Sequence, residues 1–180
     1  MKLWSAITRA FAGWVLILRG QPGWRDYFTL SAPGFVTALL VFALAAFIAV
    51  IFASMSIGLP SLPGVVAAMF VLALPVITFV LTLLGTRMML KSQEPMLELL
   101  VPGTYALTAF LLVEGVLAMI GGPIVMLAWL GIAFMLFCLA RAATSWNVGV
   151  AFCFPVFSVV LLVALRLALY IVSSSAGITI

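Results

Sequence analysis

Two residues of opposite charge, Glu114 and Arg166, lie inside long apolar runs of this 180-residue chain. A lone charge near the middle of a bilayer costs about 2.5–3.5 kcal/mol on insertion scales, so buried charges there tend to pair. Basic residues flank one end of each run. Counting about 1.5 Å per residue from that end places Glu114 and Arg166 at a similar depth. We therefore predict an intramembrane ion pair between Glu114 and Arg166.

The sequence is compatible with three roles for these two residues. In the first, the ion pair is structural and joins two membrane spans. In the second, it is a gate or proton-linked switch, because protonation of Glu114 would release Arg166. In the third, Arg166 reaches towards lipid phosphates beside Tyr170, and Glu114 is then protonated or pairs with a partner subunit.

No other residues form a pattern that is typical of catalysis. The chain contains no histidine, so a serine or cysteine nucleophile has no histidine base and the usual zinc sites lack their main ligand. Paired intramembrane aspartates, a His-Glu-x-x-His helix and a glycine-rich phosphate loop are also absent. We predict no catalytic residue, no metal site and no cofactor, and we interpret Cys138 and Cys153 as small core residues.

The composition indicates that the chain resides in a membrane. Hydrophobic residues make up 67% of it and charged residues 7%, whereas soluble domains are about half apolar and about a quarter charged. A span needs about 20 apolar residues to cross about 30 Å of hydrocarbon. We predict an all-α, polytopic membrane protein with one domain and five transmembrane helices, at about residues 35–55, 65–84, 99–120, 124–140 and 148–172.

The basic residues outside the spans all fall on one side of this topology. The connections 57–63, 121–123 and 173–180 contain no Lys or Arg, and the opposite side carries Lys2, Arg9, Arg19, Arg25, Arg87, Lys91 and Arg141. The positive-inside rule predicts a cytoplasmic amino terminus and an external carboxyl terminus. These basic groups are scattered, so anionic lipid headgroups are the expected partners and nucleic acid is not.

Residues 1–27 are predicted to form an interfacial helix and a lead-in to the first span. Within residues 3–18, apolar side chains recur every three or four positions and line one helical face, as in an amphipathic helix at a membrane surface. The alternative is a helix that packs on the cytoplasmic ends of the spans. The predicted membrane-interface anchors of the chain are Trp4, Arg9, Trp14, Arg19, Trp24 and Trp146.

Pro75 and Pro155 lie within predicted spans, and we expect each of them to bend its helix. The seven residues from Pro75 to Leu81 are similar to the seven from Pro155 to Leu161. The two segments cross the membrane in opposite directions, which is the arrangement found in inverted-repeat transporters.

The general plan of residues 1–175 resembles that of the Ypt-interacting-protein family and its bacterial relatives. The shared features are five closely spaced spans, a cytoplasmic amino-terminal segment and a short external tail. Residues 102–105, Pro-Gly-Thr-Tyr, are loosely similar to a Gly-Tyr element, while an Asp-Leu-Tyr-Gly-Pro type signature is absent. The resemblance implies a non-enzymatic helper in membrane organisation, trafficking or assembly, and the short loops suit a bacterial inner membrane.

We therefore expect a non-enzymatic accessory subunit, assembly factor or membrane-organising protein that acts through helix packing. Its partners would be membrane lipids and another membrane protein or further copies of the chain. The alternative is a small transporter or channel in which Glu114 and Arg166 form a polar gate.

Overall fold

The computed structural model describes residues 3–57 and 62–175. Lys2 and parts of two predicted connections, residues 58–61 and 176–180, lie outside the described residues. Within the described ranges the chain is helical and contains no strand. The α-helices are α1 (Leu3–Leu18), α2 (Ala32–Ile57), α3 (Leu62–Leu90), α4 (Met96–Ile120), α5 (Met126–Ala143) and α6 (Val148–Ser175), with 3-10 helices at Trp24–Tyr27 and Gly122–Val125.

Five of these helices, α2 to α6, are long and apolar enough to cross a membrane. Their bounds contain four of the five predicted spans, and the fourth, 124–140, begins two residues before α5, in the 3-10 helix Gly122–Val125. The all-α prediction is confirmed. Hydropathy locates such helices because a bilayer accepts only segments whose backbone polar groups are bonded internally. The chain therefore has the architecture of an integral membrane protein.

Polar side chains cap the first and last of these five helices. The Ser31 hydroxyl accepts a hydrogen bond from the backbone N–H of Gly34 at 3.3 Å. The Asn147 side-chain oxygen accepts one from the backbone N–H of Val150 at 2.8 Å. Both caps satisfy amide groups that lack a partner within the first turn of a helix.

The spans form a closed ring in the order α2, α4, α5, α6, α3, and α3 also packs on α4. We call one end of this ring the basic end, where α1, the 3-10 helix Trp24–Tyr27 and the connectors 91–95 and 144–147 lie. The opposite end, at the 3-10 helix Gly122–Val125, is called the neutral end. Most of residues 99–111 in α4 are buried, whereas most of residues 112–120 are exposed, so the basic half of the ring is more densely packed.

α1 packs on the basic end of the ring. This agrees with the alternative prediction for residues 3–18, in which the helix packs on the ends of the spans. It has two apolar faces, not the single face that the sequence predicts. Ala6, Ala10 and Trp14 are buried against the protein, whereas Trp4 and Phe11 are 73% and 75% exposed. Phe11 and Trp14 are three positions apart and therefore neighbours on the helix surface, so the boundary between the buried and the exposed face of α1 passes between them.

The two similar proline segments lie on neighbouring helices, because α3 packs on α6. Pro75 and Pro155 are both fully buried, and each lies inside an unbroken helix. The Phe79 and Phe154 rings meet across the two helices with centroids 5.9 Å apart. A bend at either proline stays a prediction.

The two cysteines differ in burial. Cys138 is partly buried, but Cys153 is exposed, which differs from its interpretation as a core residue. An apolar residue on a span need not face the protein interior, because the lipid chains are as apolar as the core.

Candidate functional site

The structure brings Glu114 on α4 and Arg166 on α6 into a two-pronged ion pair. Arg166 Nη1 donates to Glu114 Oε1 at 2.6 Å, and Arg166 Nη2 donates to Oε2 at 3.1 Å. The side chains are 25% and 15% exposed for Arg166 and Glu114, respectively. Two parallel charge-assisted hydrogen bonds of this kind are strong and fix the orientation of both groups.

Trp129 on α5 completes this arrangement. The Arg166 Cζ atom lies 5.0 Å from the centroid of the Trp129 ring, which is within the range of a cation–π contact. Trp129 in turn packs edge-on against Phe110 of α4, with ring centroids 5.7 Å apart. Sequence reasoning missed Trp129, although it is the one tryptophan that lies inside a predicted span.

A cavity of about 420 Å³ lies beside the ion pair, and both charged residues line it. Its other walls come from α2, α3, α4, α6 and the start of the fourth span, and most of them are apolar. On α4 the lining extends from Leu111 to Ala118, and on α6 it extends from Arg166 to Ser173. The cavity therefore runs from the ion pair to within about one turn of the neutral ends of these helices.

Between the spans just beyond the ion pair, towards the basic end, a space of only about 10 Å³ lies among large side chains that include Phe79, Phe110 and Leu136. Larger spaces of about 100 and 500 Å³ lie at the basic end itself, beside α1 and beside the connectors. Six hydroxyl groups are buried in the described parts of the spans, and each donates to a backbone carbonyl of its own helix: Thr78, Thr82, Thr104, Thr108, Ser158 and Ser173. The described core thus satisfies its hydroxyls locally, and the cavity ends at the ion pair.

Glu98 at the basic end pairs with a residue that is distant in the sequence. Its Oε2 atom lies 2.6 Å from Arg25 Nη2, and the Arg25 guanidinium stacks over the Trp24 ring. This ion pair connects the lead-in segment to the first turn of α4. The contact cannot be predicted from the order of residues along the chain.

Glu94 binds the connector between α5 and α6. One of its carboxylate oxygens accepts hydrogen bonds from the backbone N–H of Ser145, at 3.1 Å, and from the Ser145 hydroxyl. These bonds favour the ionised form and lower the pKa of Glu94 below its ordinary value of 4.5. Next to it, the Trp146 indole N–H donates to the Ser92 hydroxyl at 3.3 Å, so the two basic-end connectors are joined.

Three of the four predicted tryptophan anchors are buried in the protein. Trp14, Trp24 and Trp146 are between 3% and 7% exposed, and the Trp14 indole N–H donates to the Pro102 carbonyl at 3.1 Å. This differs from the prediction that they contact headgroups. An indole is stable inside a protein when its ring packs on apolar groups and its N–H has an acceptor.

The remaining predicted anchors lie on the surface of the basic end. Trp4 is exposed, and Arg9 and Arg19 are exposed as well. Arg9 also donates a hydrogen bond to the backbone carbonyl of Asp26. These three side chains are therefore accessible to a headgroup or to another protein.

No group of three or more His, Cys, Asp and Glu side chains able to hold a metal ion occurs among the described residues. In comparisons with known proteins, no family model, no curated protein and no solved structure matches the chain. The resemblance to the Ypt-interacting-protein family therefore stays a prediction.

Proposed function

We propose that this protein is a non-enzymatic accessory subunit, assembly factor or membrane-organising protein that acts through helix packing. The observation that carries the proposal is the exposed stripe on α1, formed by Trp4, Phe11 and Leu18. These side chains are 73%, 75% and 44% exposed. A membrane surface or a partner helix is the natural contact for such a stripe.

The fixed position of α1 supports this role. Its buried face is held by Trp14 and by Gly13, where an added Cβ would collide with the Phe28 ring. Arg19 follows the last residue of the exposed stripe, is itself exposed and suits anionic headgroups. A rigidly mounted apolar stripe next to positive charge can bind a partner or a leaflet with little loss of conformational entropy.

The positive-inside rule assigns the basic end to the cytoplasm, and short connections between the spans suit a bacterial inner membrane. We propose this orientation, with the amino terminus inside. The partner is another membrane protein or a further copy of the chain, and α1 would contact it at the cytoplasmic leaflet.

Native mass spectrometry of the protein extracted from its own membrane tests this proposal. We expect a stoichiometric protein partner with the unmodified chain and its loss with Phe11→Ser. The matched control is Phe134→Ser, because Phe134 is 58% exposed on α5 and lies outside the stripe. A bare monomer, or equal partner loss in both variants, would contradict the proposed role of α1.

A second candidate function is a small transporter gated by Glu114 and Arg166. The observation that favours it is the cavity of about 420 Å³ that is lined by the ion pair and lies in the neutral half of the spans. A substrate cavity beside a gating pair is what an alternating-access cycle requires. Proton flux into proteoliposomes containing a pH-sensitive dye would test it: Glu114→Gln should abolish pH-dependent flux, and unchanged flux would exclude this role for Glu114.

A further inference from the structure

Arg166 carries more hydrogen-bond donors than Glu114 can accept. A guanidinium has five N–H groups, and Glu114 takes two of them. The Nε atom is buried and has no hydrogen-bond partner among the described residues. A donor without a partner is costly in hydrocarbon. Because Nε itself is buried, an added acceptor oxygen would bind the Nη hydrogens that Glu114 leaves free on this partly exposed side chain.

The cavity next to Arg166 offers space for a molecule that carries such an oxygen. Most of its wall is apolar, with Val71 and Leu72 on α3 and Leu169 on α6. The Tyr170 side chain at its neutral-end side is 70% exposed, so the cavity is accessible there. A ligand with an acceptor oxygen at one point and a long apolar body matches this lining.

The charge of the site restricts the ligand further. Glu114 already neutralises Arg166, so a ligand that brought a net charge to the ion pair would leave that charge uncompensated inside the bilayer. An uncharged acceptor avoids this cost. The ester carbonyl of a phospholipid is such an acceptor, and its charged phosphate remains nearer the membrane surface.

The depth of the ion pair is within reach of a phospholipid. Glu114 lies six residues before the end of α4 at Ile120, which corresponds to about 9 Å. The 25 residues of α4 extend about 37 Å, which exceeds the hydrocarbon thickness of about 30 Å. The pair is thus only a few ångströms inside the hydrocarbon boundary, and membrane arginines draw headgroups inwards by local thinning.

We propose that this cavity holds one phospholipid from the leaflet at the neutral end. Its ester carbonyl oxygen accepts a hydrogen bond from a free N–H of Arg166, and one acyl chain lies along the apolar wall. This lipid site does not depend on the α1 stripe or on the identity of a protein partner.

Gly115 allows a direct test because it lines the cavity. A Cβ built there meets no atom within 4 Å, so Gly115→Phe can fill the cavity and leave the helix packing unchanged. The matched control is Gly131→Phe on α5, where a Cβ also meets no atom within 4 Å and which does not line the cavity. Ala118→Phe provides a second obstruction from the same wall if Gly115→Phe fails to fold.

Each variant is reconstituted into vesicles of phosphatidylethanolamine and phosphatidylglycerol, which serve as the probe. It is then extracted in mild detergent and washed stepwise. Native mass spectrometry then counts the retained phospholipids. We expect one tightly held lipid with the unmodified protein and with Gly131→Phe, and its loss with Gly115→Phe. No retained lipid on the unmodified protein, or equal retention in both variants, would overturn the proposal.

The double variant Glu114→Leu with Arg166→Leu tests the hydrogen bond separately. Replacing a buried ion pair by apolar residues commonly preserves folding, so the cavity remains while the donors disappear. We expect loss of the retained lipid. Undiminished retention would overturn the assignment of Arg166 as the group that binds the ester oxygen.

Discussion

The guanidinium of Arg166 faces the carboxylate of Glu114 edge to edge, through hydrogen bonds of 2.6 and 3.1 Å. These two side chains connect α6 with α4 in the neutral half of the ring, where a cavity separates the helices. Trp129 holds the guanidinium from α5. The ion pair is therefore a polar link among three spans at the level where apolar packing is incomplete.

Removing the carboxylate charge should weaken this link. Glu114→Gln leaves Arg166 with an uncompensated charge, and we expect a loss of about 1–3 kcal/mol in unfolding free energy. This loss is smaller than the loss usual for a fully buried ion pair, because both side chains remain partly exposed. Thermal unfolding in detergent measures the loss, and exchanging the charges as Glu114→Arg with Arg166→Glu should partly restore stability. Unchanged unfolding in Glu114→Gln would contradict a stabilising pair.

A methyl group at Gly103 should disrupt the contact between α3 and α4. A Cβ built at Gly103 collides with the Phe79 ring, which is fully buried and packs against Phe154. Because the ring cannot move freely, we expect Gly103→Ala to cost about 1–3 kcal/mol. Gly131→Ala is the control, since its Cβ meets nothing within 4 Å. Equal unfolding temperatures for the two variants would be incompatible with this contact.

The hydrogen bond from Trp14 to the Pro102 carbonyl should contribute measurably to the docking of α1. Trp14→Phe keeps most of the apolar ring but removes the donor, so we expect a loss of about 1 kcal/mol, or about 2–4 °C in unfolding temperature. Trp4→Phe is the control because Trp4 is 73% exposed. Hydrogen exchange of the α1 amides reports the docking directly. Faster exchange in Trp4→Phe than in Trp14→Phe would contradict the observed orientation of α1.

The contact between Glu94 and Ser145 should make stability depend on pH in the acidic range. Because folding lowers the pKa of Glu94 below its ordinary value of 4.5, the stabilisation is fully present above the unfolded-state pKa and is lost as pH falls through the folded-state pKa. We expect the unmodified protein to lose more stability than Ser145→Ala on acidification through this window. Unfolding temperatures measured across the pH series test this, and parallel curves would exclude the contribution of Glu94.

The number of spans and their positions along the chain could be predicted from the sequence, because a span must be long and apolar enough to cross the hydrocarbon. Glu114 and Arg166 could be paired from their depth and opposite charge, because an unpaired charge is costly there. Neither inference needs knowledge of which helices are neighbours.

Only the tertiary structure determined the positions of Trp14, Trp129 and Gly103. Trp14 belongs to the apolar pattern of α1, but the pattern does not reveal that Trp14 packs on the basic end of the ring while Phe11 remains exposed. Trp129 and Gly103 acquire their roles from side chains on other helices, Arg166 and Phe79.

The sequence by itself determined that the chain has five helices long and apolar enough to cross a membrane and that the basic residues outside these spans fall at one end of them, because transfer from water to lipid depends on local composition. The tertiary structure decided the order of the spans in the ring, the burial of three tryptophans and the cavity beside Arg166. These features depend on contacts between residues far apart in the chain, and lipid and protein interiors are equally apolar, so hydropathy does not distinguish the faces that meet.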